Sequence, residues 1–343
     1  MGFTVQEKTM QLSKRFRDLE SWYRGIFPDD RELPEMVSGD ASFRKFYRCR
    51  HGILMDAPPE TEKNREFVEY SRLLNSAGVP APEVIAADSD RGFLLVSDLG
   101  TATFAKARTP ENEKFLYEKA TDLLINMAEV PCDSLAPYDQ EFLDREAGIC
   151  LEWYFEKGEG QALSGDALET FDNMKALWSR VFLEQPVIAV HRDYHSRNIM
   201  VLQDGTLAVV DFQDMVRGPV TYDLISLIGD CYHELSPKLR EHLIGRAYGN
   251  YCHAGFLSGI SRDLFERWCD FTMLQRHVKC VGIFRRLYLR DGKSGYLGDI
   301  PRVMRYIKSC TDKYRELKPL WDLFSGTEYG CFLEKSEHVC IRQ

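Results

Sequence analysis

The sequence predicts an α+β chain of two lobes: a β-rich N-terminal lobe over residues 1–99 with one internal helix, and a larger helical lobe over 100–343. Three observations carry this. Runs rich in β-branched and aromatic residues (FRKFYRCR, GILMD, EVIAAD, FLLVSD) crowd the stretch from 33 to 99. After Gly100 the pattern turns helical over 110–130, 168–184, 221–249 and 262–290. Only IMVL and LAVVD, around an Asp204–Gly205 turn, read as strands in that second part.

Taken in order, Leu12, Phe16, Leu19, Tyr23 and Ile26 give one apolar face to a helix over 5–26. SGDAS is a small-residue loop, after which FRKFYRCR and GILMD meet at RHG in a hairpin turn. Phe67, Tyr70 and Leu74 share one side of a helix over 62–76, which Gly78, Pro80 and Pro82 end. EVIAAD and FLLVSD are two further strands, separated by SDRG. The stretch after about 322 has little pattern and stays unassigned.

Composition narrows the function. Forty-four basic against 53 acidic residues leave a net charge of −9, with no basic block to hold a phosphate backbone, so nucleic acid is not an expected partner. Ten cysteines are scattered, with no C-x-x-C pair and no metal-ligand spacing. They read as reduced thiols of a cytoplasmic protein. MGFTVQEKTM has no signal-peptide character, and position 6 is Gln, not the Ser or Thr of a myristoylation motif. No apolar stretch is long enough to span a membrane.

The chemistry concentrates in AVHRDYHSRNIM, residues 189–200. His191, Asp193 and Asn198 form H-x-D-x-x-x-x-N, followed by an apolar hairpin and then Asp211. Phosphoryl transfer from ATP needs these residue types. A carboxylate orients the attacking hydroxyl and takes its proton, while oxygen donors hold magnesium against the phosphates. The hairpin between Asn198 and Asp211 brings both to one end of a ribbon. Asp193 is the candidate base and Asn198 and Asp211 the candidate magnesium ligands. His191 reads as scaffold, its ring bonded to loop backbone, and His195 as a loop residue. No G-x-S-x-G competes for a hydrolase reading.

HRDYHSRN resembles the catalytic loop of the aminoglycoside phosphotransferase/choline kinase family, relatives of the protein kinases, and VVDFQD resembles its metal-binding segment. YDLISLIGD, 222–230, resembles the segment that follows, with Asp223 read as starting and capping a helix. A narrower likeness runs through SGDASFRKFYR, LMDAPPE, AGVPAPEVIAAD, GFLLVSDLG, HRDYHSRNIMVL and VKCVGIFRRLYLRDGKSGYLGDIPRV. In that order these resemble the anomeric sugar kinases of bacterial cell-wall recycling, which phosphorylate N-acetylmuramate and N-acetylglucosamine at C1 using ATP. The resemblance implies a protein-kinase-like fold, ATP and magnesium as cofactors, and a small sugar as partner.

One departure stands out. A kinase usually carries on its third strand a lysine for the ATP phosphates, paired with a helix glutamate; here GILMDAP places Met55 there, a gap that the resemblance implies is shared by the sugar kinases. Arg44 is the candidate replacement, helped by backbone N–H groups of Gly39–Ser42 acting as a nest. Glu62 and Glu66 both stand where the glutamate partner belongs. By position, backbone groups of Asp98 and Leu99 in LVSDLG would dock adenine. DREAGICLEWYFEK, 144–157, is helical in pattern, and Glu146 and Trp153 are candidates to bond and stack on the sugar. Arg197 is a candidate for a phosphate or for the lactyl carboxylate of N-acetylmuramate. Three readings follow: an anomeric amino-sugar kinase, an antibiotic or small-alcohol kinase of the same superfamily, and a non-catalytic nucleotide binder.

Overall fold

The computed structural model describes residues 5–38 and 44–340, so the expected nest residues Gly39 and Ser42 lie outside the described residues. By internal contacts the chain divides into two units, 1–107 with 197–214, and 108–196 with 215–343. The second boundary of the first unit falls inside the polar loop: His191–Ser196 belongs to one unit, Arg197 and Asn198 to the other.

Helix α1 spans Val5–Ile26, followed by β1 (Glu35–Ser38), β2 (Lys45–Cys49) and β3 (Gly52–Asp56). Gly52 closes the β2–β3 hairpin at a φ of 142°, and a Cβ there would sit 2.2 Å from the Val96 carbonyl oxygen. Only glycine permits both the conformation and the approach. Then come α2 (Asn64–Ser76), β4 (Val84–Asp88), β5 (Phe93–Val96) and the short α3 (Phe104–Ala107). The five strands form one antiparallel sheet in the order β1-β2-β3-β5-β4. Leu19 and Tyr23 of α1 pack with Tyr47, Leu54, Phe93 and Leu95 as its core. Met55 is fully buried opposite Phe46 and Leu94, an apolar residue in an apolar slot.

In the second unit follow α4 (Glu113–Ala128), α5 (Gln140–Ile149), a π-helical turn at Cys150–Glu156, α6 (Asp166–Leu183) and β6 (Val187–Val190). β7 (Ile199–Val201) and β8 (Leu207–Val209) form the expected hairpin, but it groups with the first unit. Val209 N–H donates to the Pro80 carbonyl at 2.8 Å, and Phe212 stacks on Phe67 of α2. The chain returns through β9 (Val216–Pro219), α7 (Tyr222–Ile228), α8 (Pro237–His253), α9 (Arg262–Asp291), α10 (Ile300–Lys313), α11 (Lys318–Ser325) and α12 (Glu328–Cys340).

Three sequence expectations change. β6 pairs with β9, a second two-stranded ribbon, because VIAV and VRGP are too short to show alternation. The single helix expected over 221–249 is two, broken between Ile228 and Pro237. The unassigned tail holds α11 and α12. The 30-residue α9 is the axis of this unit and is buried on nearly every side from Phe265 to Arg285. Ser261 caps its start and Gly292, left-handed, its end. At Gly282 a Cβ would lie 2.6 Å from the Ile149 carbonyl oxygen, so glycine lets α9 close onto the α5–π junction. No helix among the described residues is long and apolar enough to cross a membrane.

Candidate active site

The polar loop is held from below by two aspartates, Asp223 in the first turn of α7 and Asp230 just past its end. Asp223 accepts from the backbone N–H of His191 at 2.7 Å and of Arg192 at 3.0 Å. Asp230 accepts from the Ser196 N–H at 3.2 Å and the Tyr232 N–H at 2.9 Å. Asp223 therefore braces the loop instead of capping its own helix, a correction to the sequence reading. Its reach matters because Arg192 is held in the left-handed region, φ 75°, which costs a non-glycine residue about 1–3 kcal/mol. His191 is fully buried and its Nδ1 accepts from the Asp193 N–H at 3.3 Å, the scaffold role expected. Tyr194 donates to the Ala120 carbonyl at 2.8 Å. The loop is thus pinned at each step, with Asp193 left facing a cavity.

Burial pushes the Asp223 carboxyl up to about 6, only partly countered by His191 and the two backbone donors. An acid whose folded pKa exceeds its ordinary 3.8 opposes folding above that folded value. The cost is relieved as pH falls from 6 towards 4. Relative to Asp223→Asn, which does not titrate, the wild type should gain about 2 kcal/mol between pH 7 and pH 4.5. Urea unfolding of both proteins at the two pH values measures it; a constant difference would refute the assignment.

The cavity beside Asp193 measures about 250 Å³ and lies wholly within the second unit. Glu146, Arg192, His195, Arg276, Lys279 and Arg286 are among its lining residues. Glu146 is buried and carries a dense set of partners. It accepts from the Tyr138 hydroxyl, from Gln275 Nε2 at 2.7 Å, from Lys279 Nζ at 3.2 Å and from Arg192 at 3.4 Å. Burial alone would raise its pKa, but Lys279 and Arg192 outweigh that and hold it ionised below the usual range. Lys279 also donates to the Tyr222 hydroxyl at 2.8 Å. Burial likewise opposes ionisation of Asp193, yet the charges of His195, Lys279, Arg192 and Arg276 more than offset it and keep its carboxyl low.

Trp153 is not on the cavity wall. A continuous α-helix would place residues 146, 149 or 150, and 153 on one face. The wider π turn breaks that phase, so Glu146 and Ile149 line the cavity while Trp153 lies under the Lys157 ammonium, 3.9 Å from its ring centre. Sequence reasoning missed Arg276, Lys279 and Arg286. The signal was weak: Arg276, Lys279 and Arg286 share one face at helical steps, but Gln275, His277 and Arg285 beside them are polar too.

In the first unit, Arg44 is buried and forms a 2.7 Å ion pair with Glu62, just ahead of α2. Its guanidinium also lies 3.7 Å from Asp211. Of the two glutamates left open by the sequence, Glu62 takes the cation. Asp211 has φ 65°, and its side chain is half exposed, accepting from Gln213 Nε2 at 2.8 Å. The Asn198 carbonyl accepts from the Val210 N–H at 3.0 Å, closing the end of the β7–β8 ribbon from which Asn198 and Asp211 both project. The two offer hard oxygen donors, a set suited to magnesium. Asp98 is held by Arg48 at 2.6 Å and accepts from the Gly100 N–H, which fixes the turn where Leu99 sits half-buried. The hydrogen bond from Arg48 keeps the Asp98 carboxyl low. Arg197 is exposed.

Comparison with known proteins places this geometry. The family model described as "Phosphotransferase enzyme family" matches residues 35–256. The N-acetylmuramate/N-acetylglucosamine kinase of Pseudomonas aeruginosa is 38% identical over 94% of this chain and 99% of its own. The kinase of the same name from Neisseria meningitidis is 32% identical over 89% of this chain and 93% of its own. Among solved structures, ADP-bound aminoglycoside phosphotransferase APH(2'')-Ib matches with a TM-score of 0.59 at 12% identity, covering 85% of this chain and 98% of its own. A choline/ethanolamine kinase family protein from Mesorhizobium loti matches with a TM-score of 0.56 at 15% identity, covering 90% of this chain and 100% of its own. The fold is the protein-kinase-like fold of these phosphotransferases, and the chain belongs to the phosphotransferase enzyme family.

Proposed function

We propose that the protein is an ATP-dependent kinase acting on the anomeric, C1, hydroxyl of N-acetylmuramate and N-acetylglucosamine. These are the two sugars in the names of its relatives from P. aeruginosa and N. meningitidis. The observation that favours them over other acceptors of the superfamily is the cavity beside Asp193. Arg192, Arg276, Lys279 and Arg286 all line it. Against three lining carboxylates, these four cations leave no net negative charge to hold a polycationic aminoglycoside or the quaternary ammonium of choline. A neutral or acidic amino sugar needs none.

In this reading Asp193 accepts a hydrogen bond from the C1 hydroxyl. The C1 oxygen attacks the γ-phosphorus of ATP, the bond to the bridging oxygen breaks, ADP leaves, and the proton passes late to Asp193. A carboxylate held low by surrounding cations is a weak base but a firm acceptor. That suits an anomeric hydroxyl, whose anion the ring oxygen stabilises, and a transition state that asks mainly for positioning and charge neutralisation. Arg44 would serve the ATP phosphates in place of a strand lysine, and backbone groups of Asp98 and Leu99 the adenine. Asn198 and Asp211 would hold Mg²⁺, which when bound neutralises phosphate charge. Arg197 stays a candidate for a phosphate or the sugar carboxylate. The cysteines of the described residues are all free thiols, in keeping with a cytoplasmic enzyme that draws on cellular ATP.

An acceptor panel tests the reading, with ADP release as the rate and ³¹P NMR identifying the product. N-acetylmuramate and N-acetylglucosamine should yield 1-phosphates, with kcat/KM at least 100-fold above kanamycin or choline. Phosphate on kanamycin but on neither sugar would sink it. No ADP release with any acceptor would favour a non-catalytic nucleotide binder.

A further inference from the structure

The cations of the cavity are not equivalent. Arg192 and Lys279 share the carboxylate of Glu146. Arg276 is 4% exposed, near the middle of α9, and makes no hydrogen bond or ion pair among the described residues. Its guanidinium carbon lies 5.1 Å from the Tyr222 ring, and its charge also acts on Asp193. Its Nε is buried without a partner. The cavity carries four cationic side chains against three carboxylates, Glu146, Asp193 and Asp230, and Asp230 is occupied by loop backbone. A buried guanidinium whose Nε has no hydrogen-bond partner is costly, and such groups persist where a ligand supplies one. The thiol of Cys280 is drawn downward first by a hydrogen bond from Cys231 and also by the nearby Arg276.

We propose that Arg276 is an anion receptor of the acceptor pocket, binding oxyanion oxygens that the sugar carries in its bound or product form. The inference rests on the sugar-kinase reading above and deepens it. The leading source is the lactyl carboxylate, which N-acetylmuramate has and N-acetylglucosamine lacks. The other source is the phosphate left on C1 after transfer. Arg276 would then set the preference of the pocket for acid-bearing sugars.

Two variants separate these from a structural role. Arg276→Met fills the same space without charge, and Arg276→Lys keeps the charge but not the planar fork. Calorimetry without ATP measures binding of N-acetylmuramate, N-acetylglucosamine and N-acetylglucosamine 1-phosphate, so the site is tested even where no turnover is seen. With the carboxylate as the anion, Arg276→Met lowers the N-acetylmuramate to N-acetylglucosamine affinity ratio at least tenfold, and Arg276→Lys restores part of it. With the phosphate as the anion, the ratio holds and the 1-phosphate weakens at least tenfold. All three affinities unmoved, whatever the Tm, would overturn the proposal and make Arg276 a framework residue. Absence of turnover in the wild-type enzyme with either sugar would instead count against the kinase reading, leaving the binding result to decide Arg276.

Discussion

Asp193→Asn should lower kcat by about 10³-fold, within the 10²–10⁴ that general acid–base groups supply, while ATP affinity stays within about threefold. The substitution is nearly isosteric. The loop that carries it is held by other groups: Asp223 under His191 and Arg192, Asp230 under Ser196, and Tyr194 on Ala120. Only the acceptor for the sugar hydroxyl is lost. Titration with a fluorescent ATP analogue and single-turnover kinetics separate binding from chemistry. Near-normal rates would mean that Asp193 is not the base. Loss of ATP affinity together with rate would mean that it acts in nucleotide binding.

The Arg44–Glu62 pair gives the second large expectation. Both side chains are less than a tenth exposed. Removing one partner of such a pair typically costs about 3–5 kcal/mol, because the other charge is left buried and alone. Arg44→Met should therefore lower the stability of the first unit by about that much, and raise KM for ATP at least tenfold. The double variant Arg44→Met with Glu62→Met should regain most of the stability and none of the ATP affinity. If the double variant also regains KM, Arg44 serves the fold alone and the phosphates have another partner. Thermal unfolding and initial rates across ATP concentration are sufficient.

Legibility in the sequence followed the range of the interactions. The Asp193, Asn198 and Asp211 spacing was readable because one loop and one hairpin carry all three. Four of the five strands of the first sheet were readable because each is a run of β-formers bounded by turn residues; the short β1, EMVS, was not singled out. Arg44 stood out as the nearest cation once Met55 occupied the lysine's place, but which glutamate faced it needed three dimensions. The cavity wall was largely hidden. Tyr138, Glu146, Arg192, Tyr222, Gln275 and Lys279 converge from four separate segments, and no local pattern joins them. Trp153 falls off the cavity wall because helical periodicity assumes an unbroken α-helix, and a π turn intervenes. Asp223 misled for a related reason: an acid in a helix's first turn reads as a cap, whereas burial turned it onto another segment's backbone.

The first unit is not a continuous piece of chain. Its sheet ends at Val96, but the hairpin at 199–209 contributes the Val209–Pro80 hydrogen bond, the Thr103–Met200 bridge and, just beyond, the Phe212–Phe67 stacking. On a ribosome these residues emerge about a hundred positions after the strands they complete, some 5–20 s later at ordinary rates of synthesis. Until then Phe67 and the unsatisfied Pro80 carbonyl belong to an unfinished surface. A nascent chain halted near residue 150 should be far more sensitive to protease in its first hundred residues than one halted past 250. The hairpin that carries the proposed magnesium ligands thus also acts as the late-arriving closure of the N-terminal body.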